Sequence, residues 1–293
     1  MIYQQTSAQW LKSPFLSKAG ISLRIWREDL NHPFISGNKW WKLKYNLETA
    51  RKEGHNQLLT FGGAYSNHLY ATAAAAHELG FKSIGIVRGE KQPDLNSTLA
   101  FCESKGMHLH YISREQYREK NSEAYIQSLR DQFGEFYLIP EGGTNSMAIK
   151  GCEEWARQIE EVEDFDYLCL PVGTSGTMAG MVNQLSDKTI VGFSALKGGD
   201  FLQVEVQKWL KHDIRNWQIR AEYHFGGYAK VKNELLDFII DFEREYQIPI
   251  DPVYTSKMMY GVFDLIQQKA FKPGSKVLVL HTGGLQGRAG FNF

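Results

Sequence analysis

The stretch "SGNKWWKLKYNL", residues 36–47, puts Lys39 directly after Ser-Gly-Asn and Lys42 three residues later. Asn38 is the natural cap for a helix starting there, and the positive end of a helix dipole is a poor place for two cations. The plain reading is a pair of solvated surface lysines. The chemical alternative is an amine held away from water, where burial and a neighbouring cation lower its pKa and leave it nucleophilic toward a carbonyl.

Four glycine-rich segments could serve such an amine. In "FGGAYSNH", Gly62 and Gly63 permit a tight turn, and Ser66 and Asn67 open a helix whose free N–H groups can hold an anion. In "PVGTSGTMAGM", Gly173, Thr174, Ser175, Gly176 and Thr177 combine bare backbone with hydroxyls at a helix start, which is what a phosphate cradle requires. This segment is neither a Walker A loop nor Gly-x-Gly-x-x-Gly. "LIPEGGTN" and "LVLHTGGLQG" each end an apolar strand in paired glycines, and "DPVYTSKMMYG" brings Tyr254, Thr255 and Tyr260 after a proline.

Other chemistries lack their signatures. Among the nine histidines there is no His-x-x-x-His pair, so no metal site is expected, and His108 and His110 read as ordinary residues sharing one face of a strand. No Gly-x-Ser-x-Gly elbow is present. Glu153 and Glu154 read as the solvated face of a charged helix.

The elements that must position these residues alternate. Strands are expected within 56–63, 82–89, 107–113 and 135–143, then within 166–176, 189–196, 217–225 and 275–284. Helices fall between most of them: one from the Ser66 cap to a Gly80 stop, one at 95–106, and one around 114–132. This βαβα order predicts an α/β protein with two open parallel-sheet domains and a ligand cleft between them at the carboxyl ends of the strands. The expected division is a large domain of residues 1–42 and 146–293, with a small α/β domain of residues 43–145 inserted.

Lys plus Arg and Asp plus Glu both number 33, so the net charge is zero and nothing points to nucleic acid or an anionic membrane. Three widely spaced cysteines, the lack of a signal-peptide pattern and the lack of a membrane-length apolar run lead to the expectation of a cytoplasmic protein.

An amine, a phosphate cradle and a group to face a ring nitrogen together are the requirements of pyridoxal 5'-phosphate. With "WREDL", "SGNKWWKLKYNL", "GGAYSNHLYATAAAAHELG", "GTSGTMAGM", "DPVYTSKMMYG" and "HTGG" in this order, the chain resembles the 1-aminocyclopropane-1-carboxylate deaminase/D-cysteine desulfhydrase family, within the fold type II enzymes that use this cofactor. The resemblance implies that Lys39 carries the cofactor as a Schiff base and Lys42 contacts its phosphate. It implies that residues 173–177 form the phosphate loop, that Asn67 bonds the ring hydroxyl, and that Ser66, Tyr228 and Tyr254 face the substrate. It also implies a homodimer acting on a small amino acid.

Three departures matter. Thr255 stands where the cyclopropane deaminases have a glutamate opposite the ring nitrogen. A hydroxyl leaves the ring largely neutral, which suffices for expelling a good β-leaving group. Tyr65 replaces a customary glutamine, and Trp40 and Trp41 stand between the lysines where a polar or basic residue is usual, with the expectation that bulky aromatics narrow the pocket or reshape its entrance, or that the tryptophans pack on a helix face at the domain interface. The sequence thus predicts α,β-elimination from a small amino acid, with D-cysteine leading. The alternatives are cyclopropane-carboxylate deamination, racemisation or β-replacement on the same scaffold, and a non-catalytic module that binds the cofactor.

Overall fold

Strand segments such as "QLLTFG" and "YLCLPV" are buried at every position after the first, the pattern of parallel strands covered on both faces. The computed structural model describes residues 1–291. Its strands are β1 (Ala8–Leu11), β2 (Ser22–Trp26), β3 (Gln57–Gly62), β4 (Lys82–Arg88), β5 (Met107–Ile112), β6 (Tyr137–Ile139), β7 (Tyr167–Val172), β8 (Thr189–Ser194), β9 (Trp217–Arg220) and β10 (Lys276–Leu280). The helices are α1 (Pro14–Ala19), α2 (Asn38–Lys52), α3 (Asn67–Leu79), α4 (Ser97–Ser104), α5 (Glu123–Phe133), α6 (Ser146–Val162), α7 (Ser175–Gln184), α8 (Phe201–Gln207), α9 (Asn233–Tyr246) and α10 (Thr255–Gln267).

Two sheets result. The larger runs β1-β2-β10-β7-β8-β9 and the smaller β5-β4-β3-β6. Every pairing is parallel except β1 on β2. The fold is therefore two parallel-sheet α/β units, as expected. The strands of the small sheet all come from residues 57–139.

Several local expectations are corrected. β1 and β2 were not foreseen, because β1 is a short edge strand with Trp10 exposed and no apolar run to mark it. The helix expected at 114–132 is a 3₁₀ turn at Gln116–Glu119 followed by α5, which restarts where Ser122 Oγ accepts Tyr125 N–H at 3.3 Å. The last strand before α9 stops at Arg220.

Asn38 is not the cap of α2. The cap is Gly37, at φ 68°, ψ −145°, and an added Cβ there would lie 1.9 Å from the Thr282 carbonyl oxygen. Only glycine fits both that backbone conformation and that approach. Asn31 brackets the turn, accepting Gly37 N–H at 2.9 Å and donating to the Gly37 carbonyl at 3.1 Å.

Beneath this turn lies Glu28, fully buried. Its carboxylate accepts from Trp41 Nε1 at 2.6 Å, Trp26 Nε1 at 2.7 Å, Thr6 Oγ1 at 2.7 Å and Asn31 Nδ2 at 2.8 Å. The tryptophan pair is thereby placed. Trp41 points into the core beside Tyr3 and Trp155, and Trp40 packs on Tyr3, so neither narrows a pocket. The first turn of α2 also meets α6 backbone to backbone. An added Cβ on Gly151 would sit 2.0 Å from the Trp41 carbonyl oxygen, and one on Gly180 of α7 would sit 2.4 Å from Cys152 Cβ.

Replacing Glu28 with Gln would turn an amide N–H₂ toward indole donors and leave a buried donor unmade, at a cost of roughly 1–3 kcal/mol. Urea unfolding of Glu28→Gln should show that loss; an unchanged midpoint would mean the two indoles do not depend on the carboxylate.

Candidate active site

The parallel strands of both sheets deliver their following loops to one region, and α2 brings its first turn there. Lys39 lies in that turn, half-buried, with Nζ donating to Asn38 Oδ1 at 3.0 Å. Asn38, released from capping, donates through Nδ2 to Thr177 Oγ1 at 2.9 Å and so fixes the start of α2 to α7. Lys42 is buried one turn on. Its ammonium donates to the Gly142 carbonyl and reaches Thr144 Oγ1 and Thr174 Oγ1 at 3.2 Å each. It thus joins the loop after β6 to the loop after β7.

Neither lysine has a carboxylate partner among the described residues, and both lose basicity. Burial pushes Lys39 down to about 8, with Cys152 and Asp251 opposing. Burial, then the charge of Lys39, pushes Lys42 down to about 7. A nucleophilic amine near neutrality is therefore present. His68 sits close by and stays neutral: burial and both lysines hold its pKa well below the usual histidine value. Its Nε2 pairs with Thr60 Oγ1 at 2.9 Å, and its Nδ1 has no partner among the described residues.

Gly173 to Thr177 connect β7 to α7. Thr174 caps α7 with no side-chain hydrogen bond, which leaves the leading N–H groups of that helix for another acceptor. Ser175 and Thr177 are buried there. Gly176 cannot carry a side chain, since a Cβ would lie 2.9 Å from Thr144 Oγ1 and 3.2 Å from Lys42 Cε. Backbone donors, hydroxyls and the Lys42 cation thus converge.

A cavity of about 120 Å³ is lined by Tyr65, Asn67, Tyr228, Tyr254, Asp251 and Gly284, among others. The rings of Tyr228 and Tyr254 meet edge-on at 6.1 Å. Burial raises both phenols, Tyr254 well above the usual value, with Tyr228 and Asp251 adding to the effect. Both phenols therefore keep their protons at neutral pH. Gln286 Nε2 donates to Asn67 Oδ1, so the free donor of Asn67 is its Nδ2. Ser66 Oγ caps α3 by accepting Leu69 N–H at 3.2 Å. Thr255 is fully buried, and its Oγ1 has no partner among the described residues. Of the two features expected to restrict the pocket, Tyr65 lines it and the tryptophans do not.

Asp251 escaped the sequence reading. Its carboxylate accepts the N–H groups of Val253, Tyr254 and Thr255 at 3.0, 2.7 and 2.8 Å, so it caps α10 and aims Tyr254 and Thr255. An aspartate followed by proline just before a helix is the signal that could have marked it. Thr144 and His68 left no such sign; their roles come from tertiary neighbours.

The chain matches the model of the pyridoxal-phosphate dependent enzyme family over residues 3–283. It is 32% identical over 296 residues to the Arabidopsis thaliana bifunctional D-cysteine desulfhydrase/1-aminocyclopropane-1-carboxylate deaminase, covering 92% of this chain and 73% of that one. A crystallised 1-aminocyclopropane-1-carboxylate deaminase homologue superposes with a TM-score of 0.85 at 28% identity, covering 98% of this chain and 91% of the other. A hydrogen sulfide-producing enzyme from Fusobacterium nucleatum shares the fold, with a TM-score of 0.70 at 12% identity over 98% of this chain and 97% of that one.

The residues present fit the cofactor these relationships bring. The bare approach at Gly176, the uncapped start of α7 and Lys42 suit a phosphate. The weakly basic Lys39 suits an aldehyde, and the orphaned Thr255 hydroxyl suits a ring nitrogen.

The depressed lysines also carry a stability consequence. From their folded values up to the ordinary lysine value of 10.5, the unfolded chain binds protons that the folded chain has released. Stability therefore rises with pH through that interval, and the penalty is complete below it. The urea midpoint of cofactor-free protein should rise from pH ~7 to ~9, and Lys42→Met should flatten the rise. Equal slopes in the two proteins would show Lys42 to be solvated.

Proposed function

This chain belongs to the pyridoxal-phosphate dependent enzyme family, and on that premise we propose that it eliminates the β-substituent of a small amino acid, D-cysteine foremost. When bound, the cofactor supplies an aldehyde for the substrate amine and a conjugated ring that accepts electrons from the broken Cα–H bond. Lys39 is the residue we assign to hold that aldehyde at rest and to move the Cα proton, since its amine needs little energy to shed its own. Lys42, the α7 N-terminus and the hydroxyls of Thr174, Ser175 and Thr177 hold the phosphate. Asn67, through Nδ2, faces the ring hydroxyl.

Tyr228 and Tyr254 keep their protons and so act toward the leaving group as donors. Ser66 stands at the head of α3, where the free N–H groups of the helix favour a substrate carboxylate. For D-cysteine the balance is loss of the Cα proton, departure of sulfide, and addition of water to give pyruvate and ammonia.

The observation that carries this choice is Thr255. A neutral hydroxyl facing the ring nitrogen leaves the ring a modest electron acceptor, adequate for expelling sulfide and poorly suited to opening a cyclopropane. The Arabidopsis relative is named for both activities, and the crystallised homologue is named for the second, so 1-aminocyclopropane-1-carboxylate is the second reading.

Purified protein loaded with the cofactor should release sulfide and pyruvate in equal amounts from D-cysteine. Ammonia and a four-carbon keto acid from the cyclopropane, with no sulfide from D-cysteine, would favour the second reading. Lys39→Ala should abolish both turnover and the cofactor adduct fixed by borohydride; retained turnover would remove Lys39 from the chemistry. Tyr254→Phe should keep the cofactor absorbance and lower kcat by about 10²–10⁴-fold, the range for a general acid. A kcat within twofold of the parent would clear Tyr254 of that role.

A further inference from the structure

Lys257 is a second fully buried lysine beside Lys42, and nothing in the chemistry above uses it. It lies on α10, three residues after Tyr254 and two after Thr255, and is 1% exposed. Its Nζ donates to the Gly227 carbonyl at 2.8 Å and reaches the Ala195 carbonyl at 3.5 Å. No carboxylate lies within ion-pair distance among the described residues; Asp251 acts on it only from further away. Burial lowers its pKa to about 8, so it is still mostly a cation at neutral pH.

A buried cation satisfied by main-chain carbonyls is a costly feature for a core, which an apolar side chain of the same length would fill without charge. What those carbonyls belong to is informative. Ala195 follows β8 directly. Gly227 sits in the segment after β9 that brings Tyr228 to the cavity. That segment is unfavourable on its own. Phe225 has φ 50°, Gly226 101°, Gly227 116° and Ala229 54°. Two non-glycine residues in the left-handed region persist only where surrounding contacts over-determine them. Lys257 supplies such a contact on the residue immediately before Tyr228, from the same helix whose start carries Tyr254 and Thr255.

We propose that Lys257 is a positioning residue: its buried ammonium clamps the strained 225–229 segment to α10 and thereby holds the Tyr228 hydroxyl against Tyr254 and the substrate. This rests on the assignment of Tyr228 as a substrate-facing donor, and the two ideas fail separately.

The test uses holoenzyme of the parent, Lys257→Met, Tyr228→Phe and the double variant. Lys257→Met should keep the cofactor absorbance and KM within about twofold, lower kcat by about 10- to 100-fold, and speed amide exchange at residues 225–230 at least tenfold with the rest of the chain unchanged. The double variant should be no slower than Tyr228→Phe alone, because both changes remove one contribution. If the two losses multiply, Lys257 acts through something other than Tyr228 and the proposal falls. If exchange at 225–230 is unchanged while Tyr228→Phe is impaired, the clamp falls and Tyr228 stands. If Tyr228→Phe turns over like the parent, Tyr228 is not a donor, and the catalytic consequence of the clamp falls with it. Lys257→Gln, which keeps a donor and drops the charge, carries the same comparisons should the Met variant fail to fold.

Discussion

The buried carboxylate of Glu28 organises the region on which the site depends. Two indole N–H groups, a hydroxyl and an amide converge on it, and its own main-chain carbonyl accepts the N–H of Gly37. The end of β2, the N-terminal segment and the first turn of α2 are thereby tied at one point. Burial works against the charged form, raising the carboxyl pKa, and the hydrogen bonds from Thr6 and the two indoles oppose that rise. With Trp41 fixed from below and Gly37 pressed on Thr282 from above, the direction in which α2 leaves the turn is determined. The direction of Lys39 follows from that.

The cations at a helix start raised a physical objection, and the structure answers it through burial. Lys39 and Lys42 stand near the positive ends of both α2 and α7, and desolvation lowers their basicity further. The arrangement disfavours protonated amines until an anion arrives. Hydrogen bonds from Asn38 to Thr177 and from Lys42 and Thr144 to Thr174 hold the hydroxyls around Gly176 in place beforehand, so an anion would meet a formed site. Asp251 contributes from the opposite side: spent on three main-chain N–H groups, it still exerts its charge on Lys39 and Lys257.

Much of this was legible in the chain. Apolar runs ending in paired glycines predict parallel strands with loops open to a ligand, and the Ser66 and Gly80 signals bound α3 as read. What escaped was set by contacts distant in sequence. Asn38 looks like a cap, yet Gly37 takes that place because the Thr282 carbonyl leaves room for no other residue. Trp40 and Trp41 look like pocket walls until Glu28, Tyr3 and Trp155 are seen around them. Lys257 sits in a helix where any lysine would be assumed to reach water, and only the carbonyls of Ala195 and Gly227, from the segments after β8 and β9, mark it as a buried cation. Local pattern reports which face of an element is apolar; it does not report which backbone carbonyl will stand opposite a side chain.

The manner in which α2 is anchored has a mechanical meaning. Its first turn is fastened to the large-sheet side through Thr282, Thr177 and the bare contact with Gly151. Its last turn feeds β3 of the small sheet and holds α3 through Arg51 on the Leu79 carbonyl. Between those ends Lys44 and Tyr45 hold Glu154 of α6, and Asn46 pairs with Asn145, so the helix is fastened to the large-sheet side through its middle as well as its start. One stiff rod therefore sets both the position of Lys39 and the place from which the small sheet begins, while Asn67 and Tyr65 follow from β3 at its far end.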